Sequence, residues 1–475
     1  MNEMQFEILN MDAVTLAAEI AARRISSLDA VNTYIMHINN FNPAINALVE
    51  NRFSAARREA QEIDARLARG EGGGRLMGVP ITIKEAFDIA GMKTTGGLIW
   101  RKDMVMETDS EVVTRLKNEG AVFLGKTNTP ILCFYQETDN KLYGRSNNPW
   151  DINKTTGGSS GGEGAQIAAG GAAVGIGSDI GGSIRFPSHF NGVVGFKSGN
   201  NQVPHTGSYP PFTVSLQEKM LGIGAMAKSV RDARLINDIL AFTPPAPRNL
   251  EKFSITLPMD NLFYPVDNDT LRSLTEARKF LSLQMEVVDA PPPYYTDAAL
   301  LWQQIMSIEI DAVAAAGFGK KPVRLWREYL REVLFKSSQL HRFFTWVMIG
   351  AKMFAPNPAK IAQIEQTIAT GEQTVNNYLD NRLLVLPVFH TAAKPHGEVI
   401  RDIFSVRRTY LRYMPFIAYA NTWGLPSLIV PVAEDQEGMP IGLQIISRVG
   451  NEDAIFQLGE IMEKHFRGYR RAPVK

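Results

Sequence analysis

Residues 155–187 read TTGGSSGGEGAQIAAGGAAVGIGSDIGGSIRFP, a stretch in which glycine is the commonest residue and serines recur between the glycines. Glycine this dense marks backbone held in tight or unusual conformations. Three readings compete for it. The first is a glycine-rich loop that only lets helices pack closely. The second is a phosphate cradle, but neither G-x-x-x-x-G-K-[ST] nor a strand-borne G-x-G-x-x-G occurs. The third is a serine hydrolase. Gly157–Gly161 fits G-x-S-x-G, yet a nucleophile elbow of that type needs a buried strand before it. The preceding DINKTT (151–156) is polar and turn-like, and no histidine stands in a recognisable base context.

A lysine-based arrangement accounts for more of the residues. Ser183 sits in Asp179-Ile-Gly-Gly-Ser-Ile-Arg185. Two glycines before the serine leave the N–H groups of Ile180, Gly181, Gly182 and Ser183 little shielded. Such a cluster suits the oxyanion of a tetrahedral intermediate. A serine hydroxyl needs a base to become a nucleophile. A lysine serves if burial keeps it neutral near pH 7. Lys84 ends the apolar run VPITI (79–83) and is the lysine most strongly flanked by strand formers. Its alternative reading is an ordinary strand-end lysine reaching solvent.

Outward from these motifs the chain alternates. The run 78–91 begins with a strand into Lys84, the pattern TDSEVVTRLKNEG (108–120) is helical, and AVFLGKT (121–127) is a second strand. That β-α-β order points to an α/β sheet. Residues 11–69 read as helices, with Ser27 as a cap for the second. Residues 250–375 carry aromatic and Met-rich helices and read as a helical cap inserted over a core. The core returns with strand 381–389, one helix over 404–424, strand 427–433 and its hairpin partner 440–447. The expected organisation is a single domain, with an N-terminal helical part (1–70), a catalytic core (75–245), the cap (250–375) and a return to the core (380–470).

Composition narrows the partners. Of 475 residues, 45% are hydrophobic and 21% charged, and 50 Lys and Arg balance 49 Asp and Glu to a net charge of +1. That balance gives no electrostatic reason to expect nucleic acid. The single cysteine, Cys133, cannot form an internal disulfide. The histidines at 37, 189, 205, 341, 390, 396 and 465 show no metal-ligand spacing, so neither metal nor cofactor is expected. The start, MNEMQFEIL, lacks a signal-peptide core, and no run of 18 apolar residues occurs. A cytoplasmic location follows as the expectation.

Together, GVPITIKEAFDIAG (78–91), YGRSNNPWDINKTTGGSSGGEG (143–164) and GIGSDIGGSIRFPSHFNGVVGFK (175–197) resemble the amidase-signature enzymes. ANTWGLPSLIVPV (420–432) and GMPIGLQII (438–446) are similar to that family's later blocks. The resemblance implies an α/β fold with a central mixed β-sheet covered by helices on both faces. It places the family's catalytic lysine on Lys84, its bridging serine, which follows a cis peptide bond, on Ser159, and its nucleophile on Ser183. Ser160, Asp179 and Arg185 become supporting residues, each with an equally ready structural reading.

Within that family the sequence is most similar to the second type of fatty-acid amide hydrolase. Cys133 then matches a position on the acyl-binding side. Glu163 stands where glutamine-using relatives more often carry a small residue. The implied activity is hydrolysis of an apolar acyl or aryl amide through an acyl-Ser183 intermediate, with a small-molecule amide as partner. Two alternatives stay open: a glutamine-hydrolysing subunit of an amidotransferase, and a non-catalytic binding protein on the same fold. The apolar, cation-flanked segment 342–354 reads as a peripheral membrane contact, as the wall of an acyl tunnel, or as a buried or homodimer helix.

Overall fold

The computed structural model describes residues 2–260, 262–319, 323–405 and 407–474. Among the described residues thirteen strands follow in chain order: β1 (Leu48–Asn51), β2 (Pro80–Lys84), β3 (Val122–Thr127), β4 (Asp139–Asn140), β5 (Gly144–Arg145), β6 (Val174–Asp179), β7 (Val194–Lys197), β8 (Gly222–Ala227), β9 (Ser254–Thr256), β10 (Val287–Val288), β11 (Arg382–Pro387), β12 (Ser427–Glu434) and β13 (Pro440–Ile446). Eleven form one mixed sheet in the order β1-β3-β2-β6-β8-β7-β12-β13-β11-β9-β10, while β4 and β5 pair separately.

The centre of the sheet explains its sequence. Every residue of β2, β3, β8 and β13 is buried. Strands covered on both faces read as continuous apolar runs, which is how VPITI and AVFLG appear. Helices supply that cover. Val230–Leu240 packs on β8, Glu452–His465 on β12 and Arg185–Asn191 on β13. The α/β class with a mixed sheet holds.

Several expectations need correction. The segment 11–69 is not all helix, because Leu48–Asn51 pairs with β3 as an edge strand. Ser26, not Ser27, caps the helix Ser27–Ile45: its side chain accepts the Asp29 N–H, while the Ser27 hydroxyl donates to the Gly78 carbonyl. The stretch 250–375 is not wholly helical, since β9 pairs with β11 and β10 pairs with β9 in the main sheet. The helix expected over 404–424 is divided into Arg407–Tyr413 and Pro415–Thr422. Pro415 lacks an N–H and its ring clashes with the preceding turn, so it starts a helix rather than continuing one.

The helices Ile310–Gly317 and Arg342–Met353 join a second apolar cluster with Leu98, Leu132 and Tyr135. Phe344 and Met348 are buried there, while Trp346, Val347 and Gly350 line a large cavity. The segment 342–354 is thus core on one side and cavity wall on the other. Among the described residues no helix is long and apolar enough to cross a membrane.

Candidate active site

Strands β2, β3 and β6 run parallel to one another, and their carboxyl ends meet at one place. Open α/β sheets bind ligands beyond the carboxyl ends of their strands. Here those ends deliver Lys84 from β2, Thr127 from β3, in register with Lys84, and Ser178–Asp179 from β6. The chain then turns through Ile180-Gly-Gly-Ser183 into the helix Arg185–Asn191. Ser159 and Ser160 precede the helix Gly161–Ala168, and the Gly158–Ser159 peptide is cis.

Lys84 is fully buried. Its Nζ donates to Ser159 Oγ at 2.6 Å and to Ser178 Oγ at 3.1 Å. Burial, which disfavours the ammonium form, lowers its pKa, while the neighbouring Cys133 thiol, Asp179 and Glu85 oppose that shift. The alternative of a lysine reaching solvent is overturned. Ser159 is held from behind, because Thr129 Oγ1 donates to its carbonyl at 3.0 Å.

Ser183 is 4% exposed and shares a cavity of about 740 Å³ with Ser159, Ser178 and Cys133. Among the described residues no hydrogen bond joins the Ser159 and Ser183 hydroxyls. The two loops are joined through backbone instead: the Ser160 N–H donates to the Ser183 carbonyl at 3.0 Å. The Ser160 hydroxyl donates to the Ser178 carbonyl at 3.3 Å. Ser160 therefore braces both serine loops.

The loop that carries Ser183 is built around Asp179. One carboxylate oxygen accepts the Gly182 N–H at 2.9 Å, and the other accepts the N–H of Ile184 at 3.1 Å and of Arg185 at 3.3 Å. The Arg185 guanidinium lies against the same carboxylate at 3.1 Å, with both side chains wholly buried. Its remaining donors reach Ile417 O, Gln444 Oε1 and Asn421 Oδ1. Burial alone would raise the Asp179 pKa, but the Arg185 charge and hydrogen bond hold it well below the usual carboxylate range.

One expectation changes as a result. The Gly182 N–H is committed to Asp179 and is not free for an oxyanion. The N–H groups of Ile180, Gly181 and Ser183 have no partner among the described residues. Gly182 serves by shape: its φ is +90°, and a Cβ would stand 2.6 Å from Ile417 Cγ2 and Phe186 Cδ2.

Cys133 lines the same cavity, and its Sγ lies 3.3 Å from Thr129 Oγ1. Glu163 does not line it. The Glu163 carboxylate is buried between the hydroxyls of Thr82 and Thr127, in space left by Gly175, where a Cβ would collide with it. Burial pushes its pKa up to about 7. The position therefore reports on scaffold packing rather than on the substrate.

Sequence reasoning missed Ser178, which stands inside the GSDIGGS motif but is assigned to Lys84 only by the strand's pleat. It also missed Trp302, whose Nε1 donates to the Ile180 carbonyl at 2.6 Å from another part of the chain. Among the described residues no three His, Cys, Asp or Glu side chains gather to hold a metal ion.

Fold and site together define a class: a single-domain α/β enzyme whose pocket opens at the carboxyl edge of parallel strands, with serines in its wall and a buried lysine behind them. The chain belongs to the amidase family, whose family model matches residues 29–456. It is 32% identical to fatty-acid amide hydrolase 2-A of Danio rerio, over 98% of this chain and 90% of the relative. It is 30% identical to a glutamyl-tRNA(Gln) amidotransferase subunit of Prochlorococcus marinus (strain NATL2A), over 96% of this chain and 98% of the relative. A solved structure described as fatty acid amide hydrolase superposes with a TM-score of 0.82 at 19% identity, covering 99% of this chain and 88% of that one, which shows the shared fold. The chemistry of the chain is hydrolysis of a carbon–nitrogen amide bond.

Proposed function

We propose that the protein hydrolyses an apolar acyl or aryl amide through an acyl-Ser183 intermediate, with Lys84 and Ser159 as its proton relay. The observation that supports this reading most is the 2.6 Å contact between a fully buried Lys84 and Ser159, whose side chain lines the same cavity as Ser183. Neutral Lys84 takes the Ser159 proton, and Ser159 takes the Ser183 proton as Ser183 Oγ attacks the amide carbonyl. The N–H groups of Ile180, Gly181 and Ser183 receive the oxyanion. The proton returns through Ser159 to the leaving nitrogen, the C–N bond breaks, and amine or ammonia departs. Water, deprotonated by the same relay, cleaves the acyl ester and frees the acid.

The substrate class follows from the cavity. Phe134, Phe212, Trp302, Met306 and Val313 stand in its largely apolar wall, which suits a hydrocarbon or aromatic portion. The helix Leu325–Phe335, whose Trp326 lines the cavity, leaves Trp326, Leu330, Leu334 and Phe335 exposed, with Arg327 and the Glu328-paired Arg331 among them. That pattern of apolar and cationic side chains supports peripheral contact with a membrane surface. A cytoplasmic setting completes the reading.

A panel of amides graded from acetamide to long-chain acyl amides, with glutamine included, tests the proposal. The expected kcat/KM rises steeply with apolar length. A flat profile contradicts the substrate class. Preferential turnover of glutamine transfers support to the amidotransferase reading, which rests on the Prochlorococcus marinus relative.

A further inference from the structure

Among the described residues that line the Ser183 cavity, Arg101 alone has a charged side chain. It ends the short 3₁₀ turn Ile99–Arg101 and is half-buried. Among the described residues no ion pair forms on it. Its guanidinium donates to the Thr94 carbonyl, from Nε at 3.0 Å and from Nη2 at 2.8 Å. Glu85, a buried carboxylate of the same region, is occupied elsewhere. It accepts the Thr95 and Gly96 N–H groups and feels the charge of Lys126.

The guanidinium is held in a defined place. Its carbon stands 3.9 Å from the centroid of the Tyr209 ring, a cation–π stack, and Tyr209 itself lines the cavity. Gripping one carbonyl with Nε and Nη2 uses one edge of the planar fork. The edge formed by Nη1 and Nη2 is left, and its parallel N–H groups match a carboxylate in bidentate geometry. Nη1 has no partner among the described residues, and it is not buried. The same side of the cavity leads to the reactive end. The Tyr209 carbonyl lies 4.0 Å from Cys133 Sγ, which touches Thr129 Oγ1, the group that holds the Ser159 carbonyl.

A cation in an apolar wall attracts an anion more strongly than one on an open surface, because less water and salt screen it. A plain hydrocarbon laid over the guanidinium would displace its water and return no hydrogen bond. We propose that Arg101 is a substrate-binding residue that pairs with a carboxylate of the substrate, remote from the scissile amide. The preferred substrates are then apolar amides that carry such a carboxylate on the acyl or the amine portion. The amide reaches Ser183 while the anion rests on Arg101 beside Tyr209. This inference rests on the amidase reading above and narrows its substrate class.

The test uses pairs of amides with equal heavy-atom counts, in which a terminal carboxylate is exchanged for a methyl ketone. One series carries this group at the end of acyl chains of graded length, and a second carries it on the amine portion. The readout is the ratio of kcat/KM within each pair, for wild type and Arg101→Met. Partial misfolding of the variant lowers both members alike and leaves the ratio intact. At one chain length, wild type is expected to favour the carboxylate member by about tenfold or more, the worth of a hydrogen-bonded charge pair. Arg101→Met is expected to lower that ratio at least about tenfold. A preference in the acyl series places the anion on the acid released, and one in the amine series places it on the amine. A wild type with no preference in either series overturns the inference, as does an Arg101→Met variant that retains the wild-type ratio. Turnover of both members without preference leaves the amidase reading standing, whereas turnover of no amide removes that reading and the inference with it.

Discussion

Asp179 accepts the backbone N–H of Gly182 at 2.9 Å, so the loop that presents Ser183 is fastened from inside by the carboxylate that also receives Arg185. The bond removes Gly182 from the set of donors facing the cavity and fixes the directions of its neighbours. Arg185 ties this unit to the helix Pro415–Thr422 and to β13, through Ile417 and Gln444. Three parts of the chain thus converge on one buried ion pair beneath the Ser183 loop.

Asp179→Ala leaves the Arg185 guanidinium buried without its counter-charge. Breaking a buried pair from one side costs about 3–5 kcal/mol. Urea denaturation at pH 7 is expected to show a loss of that order. An unchanged midpoint would contradict the role given to the pair.

Ser178 shares the Lys84 amine with Ser159. Removing its hydroxyl in Ser178→Ala is expected to lower kcat by about fivefold with little change in KM, since one hydrogen bond orienting the amine is worth about 1 kcal/mol. Steady-state kinetics on one amide decides this. A rise in KM at constant kcat would make Ser178 a substrate contact instead.

Glu163 gives a pH-dependent stability. Its pKa is about 7 in the folded chain, against an ordinary value of 4.5. The folded state thus binds this proton more tightly than the unfolded state. The stabilisation is complete below about pH 4.5 and is lost as pH rises through about 7. Glu163→Gln removes this contribution, so the melting temperature of wild type relative to the variant is expected to fall between pH 5 and pH 8. Parallel curves would contradict the buried-carboxyl account.

Much of this architecture was legible locally. The apolar run into Lys84, the glycines around Ser183 and the β-α-β alternation each reflect constraints within a dozen neighbouring residues. What escaped depended on distance. β9 and β10 are too short for a period-2 signal, and only pairing with β11 makes them strands. Trp302 and Gln136 meet the Ser183 loop from remote positions, with no pattern to announce them. The commitment of the Gly182 N–H depends on how the chain turns between Asp179 and Ser183. The residue types alone made all four N–H groups equivalent.

Lys84 accepts a proton only when uncharged. Burial lowers its pKa below the ordinary 10.5, so kcat/KM is expected to climb with pH on an acid limb lying below that value and to level off once the amine is neutral. Lys84→Ala is expected to lose about 10²- to 10⁴-fold in rate together with the limb. A variant that keeps the limb would assign it to another group.

In the proposed mechanism Ser183 Oγ becomes the acylated atom. Incubation with a fluorophosphonate probe, digestion and mass spectrometry locate the adduct directly. Label is expected on the peptide bearing Ser183, absent from Ser183→Ala and greatly slowed in Ser159→Ala. Labelling of Ser183→Ala at the wild-type rate, or an adduct on Ser159 in the wild type, would contradict the account.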